Sequence, residues 1–404
     1  MFPVEELRSL FPAMDGRTVY ADAPAGTQVP VQVVEAVSHA MVQSMSNVGG
    51  AFAASARSGS VVEAARQAAA DLIGGQPSEI VFGPNMTSLT FAISRALAET
   101  WMPGDRIVLS GLDHDANVTP WVRAAESKGV EVVLAGIDPD TVTLDLDELG
   151  SLIDDRTRLV AVTGCSNAFG SLVDVGTVCA AASAVGALSY VDAVHLAPHR
   201  RIDVAGIGCD FLVCSPYKFF GPHLGVLWGR VGLLEQLPAF KVRPAPDEAP
   251  GRWETGTSTF ELLAGLTAAI DYLASIPGMA SGAAPPATRK ASLDLAYELI
   301  NSHETELSRR FLAGLPASAK IFGRPGPEGR VPTFAVQFDG RSPAEAGALL
   351  GKAGINVWDG HYYAVEPMRR LGLLEAGGLV RIGFVHINTV EEVERTLDAI
   401  ADLA

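Results

Sequence analysis

Two side chains in the segment YVDAVHLAPHRRIDVAGIGCDFLVCSPYKFFGPHLGVLWGR (190–230) have the types and spacing to do chemistry together. Asp192 closes one short apolar run and Lys218 follows another, so both fall at the carboxyl edge of a sheet if those runs are strands. Open α/β sheets bind ligands at that edge. A lysine amine there can form an imine with an aldehyde, and a strand-end carboxylate can keep a ring nitrogen protonated, which are the two demands of pyridoxal 5′-phosphate (PLP). Lys218 sits between aromatics and glycine in SPYKFFGP, where desolvation lowers an amine's pKa toward useful nucleophilicity. Alone, Lys218 reads as a solvated loop lysine and Asp192 as a strand-end cap. In this order they read as a cofactor pair.

The elements that must position this pair are legible as seven short apolar runs: EIVFG (79–83), RIVLSG (106–111), VEVVLAG (130–136), RLVAVTG (158–164), LSYVDA (188–193), FLVCS (211–215) and VLWGR (226–230). Runs apolar throughout suit strands buried on both faces, and stretches such as VVEAARQAAADLIG (61–74) suit the crossover helices between them. The expected fold is α/β, a large domain over 15–273 with a mainly parallel seven-stranded sheet. A Pro-, Gly- and Ala-rich stretch at 274–290 reads as a hinge. A smaller α+β domain over 291–404 follows, joined by residues 1–14.

The balance of 30 Lys plus Arg against 46 Asp plus Glu, net −16, has the wrong sign for a nucleic-acid partner. Hydrophobic residues make up 48%, in runs broken by Gly, Pro or charge, so no membrane span is expected. The opening MFPVEELRSLFPAMDG lacks the pattern of a secretory signal, and a cytoplasmic location follows as the expectation. The four cysteines lack paired zinc-site spacing and the histidines form no HExxH motif, so no metal is implied.

The Lys218 segment resembles the PLP-lysine region of class V aminotransferases of fold type I, specifically the cysteine desulfurase and selenocysteine lyase branch, and separated motifs extend the likeness over nearly the whole chain. VYADAPAGTQVP (19–30) is similar to the family's Tyr-Leu-Asp-Asn-Ala-Ala opening. FGPNMTSLTFAI (82–93) resembles the turn that holds the cofactor phosphate, with Met86 and Thr87 at the binding positions; a helix start offers free N–H groups and a positive dipole end to an anion. LDHDANVTPW (112–121) resembles Glu-His-His-Ala-Asn-Ile-Val-Pro-Trp, which makes His114 the residue that stacks on the pyridine ring and can relay protons. CSNAFG (165–170) places Asn167 beside the cofactor's 3-oxygen, and His195 takes the place of a glutamine serving the same oxygen. Ser215 and Tyr217 match phosphate-binding positions, Tyr217 where desulfurases carry histidine. RWETGTSTF (252–260) implies that Thr257 reaches the phosphate of a neighbouring subunit, hence a homodimer. Arg381 in LVRIGF matches the arginine that grips the substrate carboxylate.

The likeness breaks at GHYYAVEP (360–367), where Tyr363 replaces the sulfur-accepting cysteine of the desulfurase loop. A phenol cannot form a persulfide, and no cysteine follows Cys214. The implied activity is therefore β-elimination on an amino acid, such as C–S lysis of a cysteine conjugate, with Tyr363 assisted by His361 or Glu366. Transamination or epimerisation on the same scaffold, and a degenerate PLP-binding regulatory protein, are the alternatives. Arg57, in the small-residue stretch SNVGGAFAASARS (46–58) that reads as a loop near the substrate entrance, is a further candidate contact for the substrate.

Overall fold

The computed structural model describes residues 2–282 and 286–403. The apolar runs form strands β1 (Ile80–Gly83), β2 (Arg106–Ser110), β3 (Glu131–Ala135), β4 (Thr157–Thr163), β5 (Leu188–Asp192), β6 (Phe211–Cys214) and β7 (Gly225–Gly229). They make one seven-stranded sheet in the order β1-β7-β6-β5-β4-β2-β3. β7 alone runs opposite to the rest, so the other six strands end on one edge.

Alternate residues of these strands enter two different cores. Val160 and Val162 pack on one face, with the helices Ala53–Ile73 and Phe260–Ser281; Leu159 and Ala161 pack on the other, with Met86–Ala98. A sheet covered on both sides needs runs without polar alternation, as these are. Each such Val or Leu contributes about 1.5–3 kcal/mol on burial.

The second lobe holds a four-stranded sheet. Its strands are β8 (Ala319–Phe322), β9 (Thr333–Phe338), β10 (Trp358–Gly360) and β11 (Leu379–Gly383), in the order β8-β9-β11-β10. Phe311, Phe334 and Phe384 centre its own core. The chain start touches both lobes: Val19–Tyr20 pairs in parallel with Ile355–Asn356 and Arg8 forms a 2.8 Å salt bridge to Glu392, while Phe11 packs edge-on against Phe220 and Tyr272 of the large lobe.

Three expectations change here. The helix Phe260–Ser281 continues through Pro277, well into the stretch read as a hinge from 274, because Leu273, Ile276 and Pro277 are all buried and packing holds the helix despite a missing N–H. That helix ends at Ser281 and the next begins at Arg289; residues 283–285 lie outside the described residues. That same helix, at 22 residues, is long and apolar enough to span a bilayer, contrary to the expectation that no run is. Half of its most apolar window is buried in this fold, as in a core helix. Finally, 46–58 is not one loop, since a helix begins at Ala53.

Candidate active site

The shared strand edge delivers the site. Beyond β1 lies Met86, beyond β2 His114, beyond β4 Asn167, beyond β5 His195, and beyond β6 Lys218, while Asp192 is the last residue of β5. These residues line one cavity of about 440 Å³ together with Thr87, Tyr217, His361, Tyr363 and Arg381.

Lys218 follows a tight turn that the early chain covers. Thr27 N donates to Tyr217 O (3.0 Å), Phe220 N donates to Thr27 Oγ1 (2.8 Å), and Lys218 Nζ donates to the Pro24 carbonyl. The ADAPAGT segment is thus a lid on the lysine turn. Burial and the nearby Arg381 charge bring the Lys218 amine down to about 7, with Asp192 opposing them. Burial pushes Asp192 up to about 6, against a bond from Val194 N to Oδ1 (2.8 Å) and the Lys218 charge.

At the start of the helix Met86–Ala98, Asn85 Oδ1 caps Ser88 N (2.9 Å), and Met86 N donates to Ser215 Oγ (3.2 Å). Ser215 is buried just behind the cavity wall and braces this turn. Thr87 Oγ1 has only a long contact to the Met86 sulfur (3.5 Å), which leaves its hydroxyl for an anion.

Ala116 N donates to His114 Nδ1 (3.0 Å), so the proton sits on Nε2. Burial, then the charges of Lys218 and Arg381, lower His114 to about 4 and keep it neutral. Its ring stacks on Tyr363 at 5.3 Å and 22°. His195 Nε2 bonds Thr333 Oγ1 (3.0 Å) across the lobes, and burial holds its pKa well below the usual imidazole range.

Arg381 is buried, and among the described residues no carboxylate lies within salt-bridge distance of it. It donates to Asn167 O (2.9 Å) and lies 4.5 Å over the Tyr362 ring. An unpaired buried guanidinium is costly, and desolvation lowers it to about 10. It asks for an anion. Asn167 Nδ2 donates to Tyr362 O (2.9 Å), while Asn167 Oδ1 is buried without a partner. Gly170, at φ +73, makes this turn possible, since a β-carbon there would meet Thr333 O at 2.6 Å.

Three sequence-predicted residues lie elsewhere. Arg57 is exposed on the helix Ala53–Ile73, its Nε donating to Gln43 O (2.9 Å), and does not line the cavity. Glu366 is taken up by Arg370 (2.9 Å) and Arg369 and is also absent from the lining. Thr257 lines a second cavity of about 420 Å³ with His223, whose ring stacks at 4.9 Å on Tyr217 of the first.

Residues the sequence did not single out also contribute. Asp113 is buried, accepts from Asn117 Nδ2 (2.7 Å) and Thr163 N (3.0 Å), and is raised to about 8 by burial, holding the His114 loop against β4. Tyr362 and Tyr363 both have left-handed backbones, φ +52 and +59. That strained turn is pinned to the large lobe, where Asp115 N donates to Tyr363 O (2.8 Å). Cys165 lines the cavity, but burial raises its thiol far above the usual range. Their adjacency to His114, Tyr363 and Asn167 was the only signal in the sequence.

The arrangement fits PLP: a buried amine of lowered pKa, a buried carboxylate, an uncommitted Thr87 hydroxyl at a helix start, and a partnerless Asn167 oxygen awaiting a donor. The family profile described as Aminotransferase class-V matches residues 19–396. The chain is 30% identical to the aminotransferase-like protein FGM3 of Gibberella zeae, over 99% of this chain and 98% of that one. It is 30% identical to a cysteine desulfurase of Pectobacterium carotovorum, over 98% and 96%. The apo structure of a cysteine desulfurase from Thermococcus onnurineus superposes with a TM-score of 0.88 at 27% identity, covering 99% of this chain and 97% of that one. With that profile matched over nearly its whole length, the chain belongs to the class-V aminotransferase family of PLP-dependent enzymes.

Proposed function

We propose that this enzyme is a β-eliminating C–S lyase acting on a cysteine-derived amino acid, without persulfide chemistry. The observation that carries the reading is Tyr363, stacked on His114 in the same cavity as Lys218 and the unpaired Arg381. PLP, when bound, supplies an electron sink that acidifies the substrate Cα–H. Arg381 holds the substrate carboxylate with its planar fork. Lys218 Nζ, near neutral pKa, removes the α-proton. Asp192 holds the proton on the ring nitrogen, and Thr87 with the free helix start holds the phosphate. As the Cβ–S bond breaks, the Tyr363 hydroxyl gives its proton to the departing sulfur. Loss of the amino group to water then yields a keto acid and ammonia. Cys165, the one thiol on the cavity wall, is too deeply protonated to accept sulfur.

Tyr363→Phe should slow release of a poor, high-pKa thiolate by on the order of 10²-fold while barely affecting a good leaving group. Pyruvate and thiol release from a series of cysteine conjugates measures this. Equal effects across the series, or alanine plus protein-bound sulfur from cysteine in the wild type, would refute the assignment.

The homodimer is part of the same proposal. Its support is Thr257 on the outer cavity and an exposed apolar strip around the helix Val31–Gln43, with Val34 54%, Met41 58% and Val42 75% exposed. Sedimentation should give twice the chain mass, and Val42→Glu should reduce it to one; a wild-type monomer would contradict the proposal.

A further inference from the structure

Strand β10 pairs antiparallel with β11 so that Trp358 lies directly opposite Arg381. Directly opposed residues project to the same face with β-carbons about 4.5–5.5 Å apart. The two side chains therefore leave the sheet on the same face, and both line the cavity. Arg381 is only 5% exposed, whereas Trp358 is 53% and Tyr363 65% exposed. Two large aromatic surfaces are left open on one wall next to the anion anchor.

The charges nearby are committed or turned away. Lys218 and Asp192 serve the cofactor, and His361 Nδ1 accepts from Tyr363 N (3.1 Å). Asp359 also borders the cavity, but its carboxylate lies against Gly347 of the helix Pro343–Lys352, 3.2 Å from where a β-carbon would stand there. A polar or charged substrate side chain would meet only the Tyr363 hydroxyl and His361 Nε2 on this wall. A flat apolar one would find area to cover.

We propose that Trp358 and Tyr363 form a subsite for a flat or bulky apolar group beyond the substrate's β-carbon. The preferred substrate class is then an amino acid carrying an aryl or large alkyl substituent, such as an S-aryl or S-benzyl cysteine, rather than cysteine itself. This rests on Arg381 as the carboxylate anchor, but not on elimination as the reaction.

Calorimetric titration of the PLP-loaded protein with 3-phenylpropionate and with propionate tests it, because neither ligand has an amine or a leaving group. The phenyl ligand should bind about ten- to a hundredfold more tightly. Trp358→Ala should erase most of that ratio, and Trp358→Phe should keep most of it. Equal affinities in the wild type, or a ratio unchanged by Trp358→Ala, would overturn the subsite. Arg381→Lys separates the two levels: if it weakens both ligands while the phenyl ring brings no advantage, the anchor stands and the subsite falls. If neither ligand responds to Arg381→Lys, both fall.

Discussion

Lys218→Ala should lose turnover by roughly 10²–10⁴-fold, the range for removing a positioned acid–base group, and should no longer fix the cofactor covalently. Borohydride reduction of the wild-type holoenzyme should leave a stable adduct on the peptide containing Lys218; the variant should show none. The same amine carries a pH signature. Attack on an aldehyde needs the neutral amine, and burial with the Arg381 charge lowers the Lys218 pKa from the usual lysine value to about 7. A lowered amine pKa means neutral amine at lower pH. The rate at which cofactor-free protein takes up PLP should therefore climb as pH rises through about 7 and level off above it. A solvated lysine would keep climbing to about 10.4. A rate still rising at high pH, or an adduct on another lysine, would show that the buried amine is not the one used.

Asp192→Asn should cut kcat by on the order of 10²–10³-fold, comparable to removing one fixed electrostatic group from a dry site. The amide keeps the shape and can still accept from Val194 N, but it has no charge to hold a proton on the ring nitrogen. Burial raises the Asp192 carboxyl to about 6 against the Val194 N bond and the Lys218 charge, which pull it down. A cationic ring nitrogen beside it would keep it ionised. The substitution leaves Lys218 and the Thr87 helix start unaltered, so cofactor content should stay near wild type while turnover falls. Unchanged kcat would remove Asp192 from the chemistry; loss of cofactor in step with activity would make its role one of retention only.

Much of this site is readable before folding because each functional residue follows an apolar run, and in a mainly parallel sheet such runs end on one edge. Met86, His114, Asn167, Asp192 and Lys218 come together for that reason. What escaped depends on register and on local helix formation. Trp358 meets Arg381 only through the pairing of β10 with β11, which nothing near either residue specifies. Asp113 looks like a surface acid until Asn117 and Thr163 close around it. The small residues AASARS look like a loop, yet alanine favours helix, and Arg57 is carried onto the outside of the helix Ala53–Ile73. Pro277 suggests a break, but the apolar neighbours that keep its helix intact are visible only once packed.

The salt bridge between Arg8 and Glu392 has a counterpart in Arg395, which donates to the carbonyls of Gly16 (3.0 Å) and Arg17 (2.7 Å). Loosening of the helix Val390–Ala401 would therefore strip these contacts from Arg8, Gly16 and Arg17, and disorder in one segment would spread to another far away along the polypeptide. A probe on either segment, such as protease susceptibility or hydrogen exchange, should report on both.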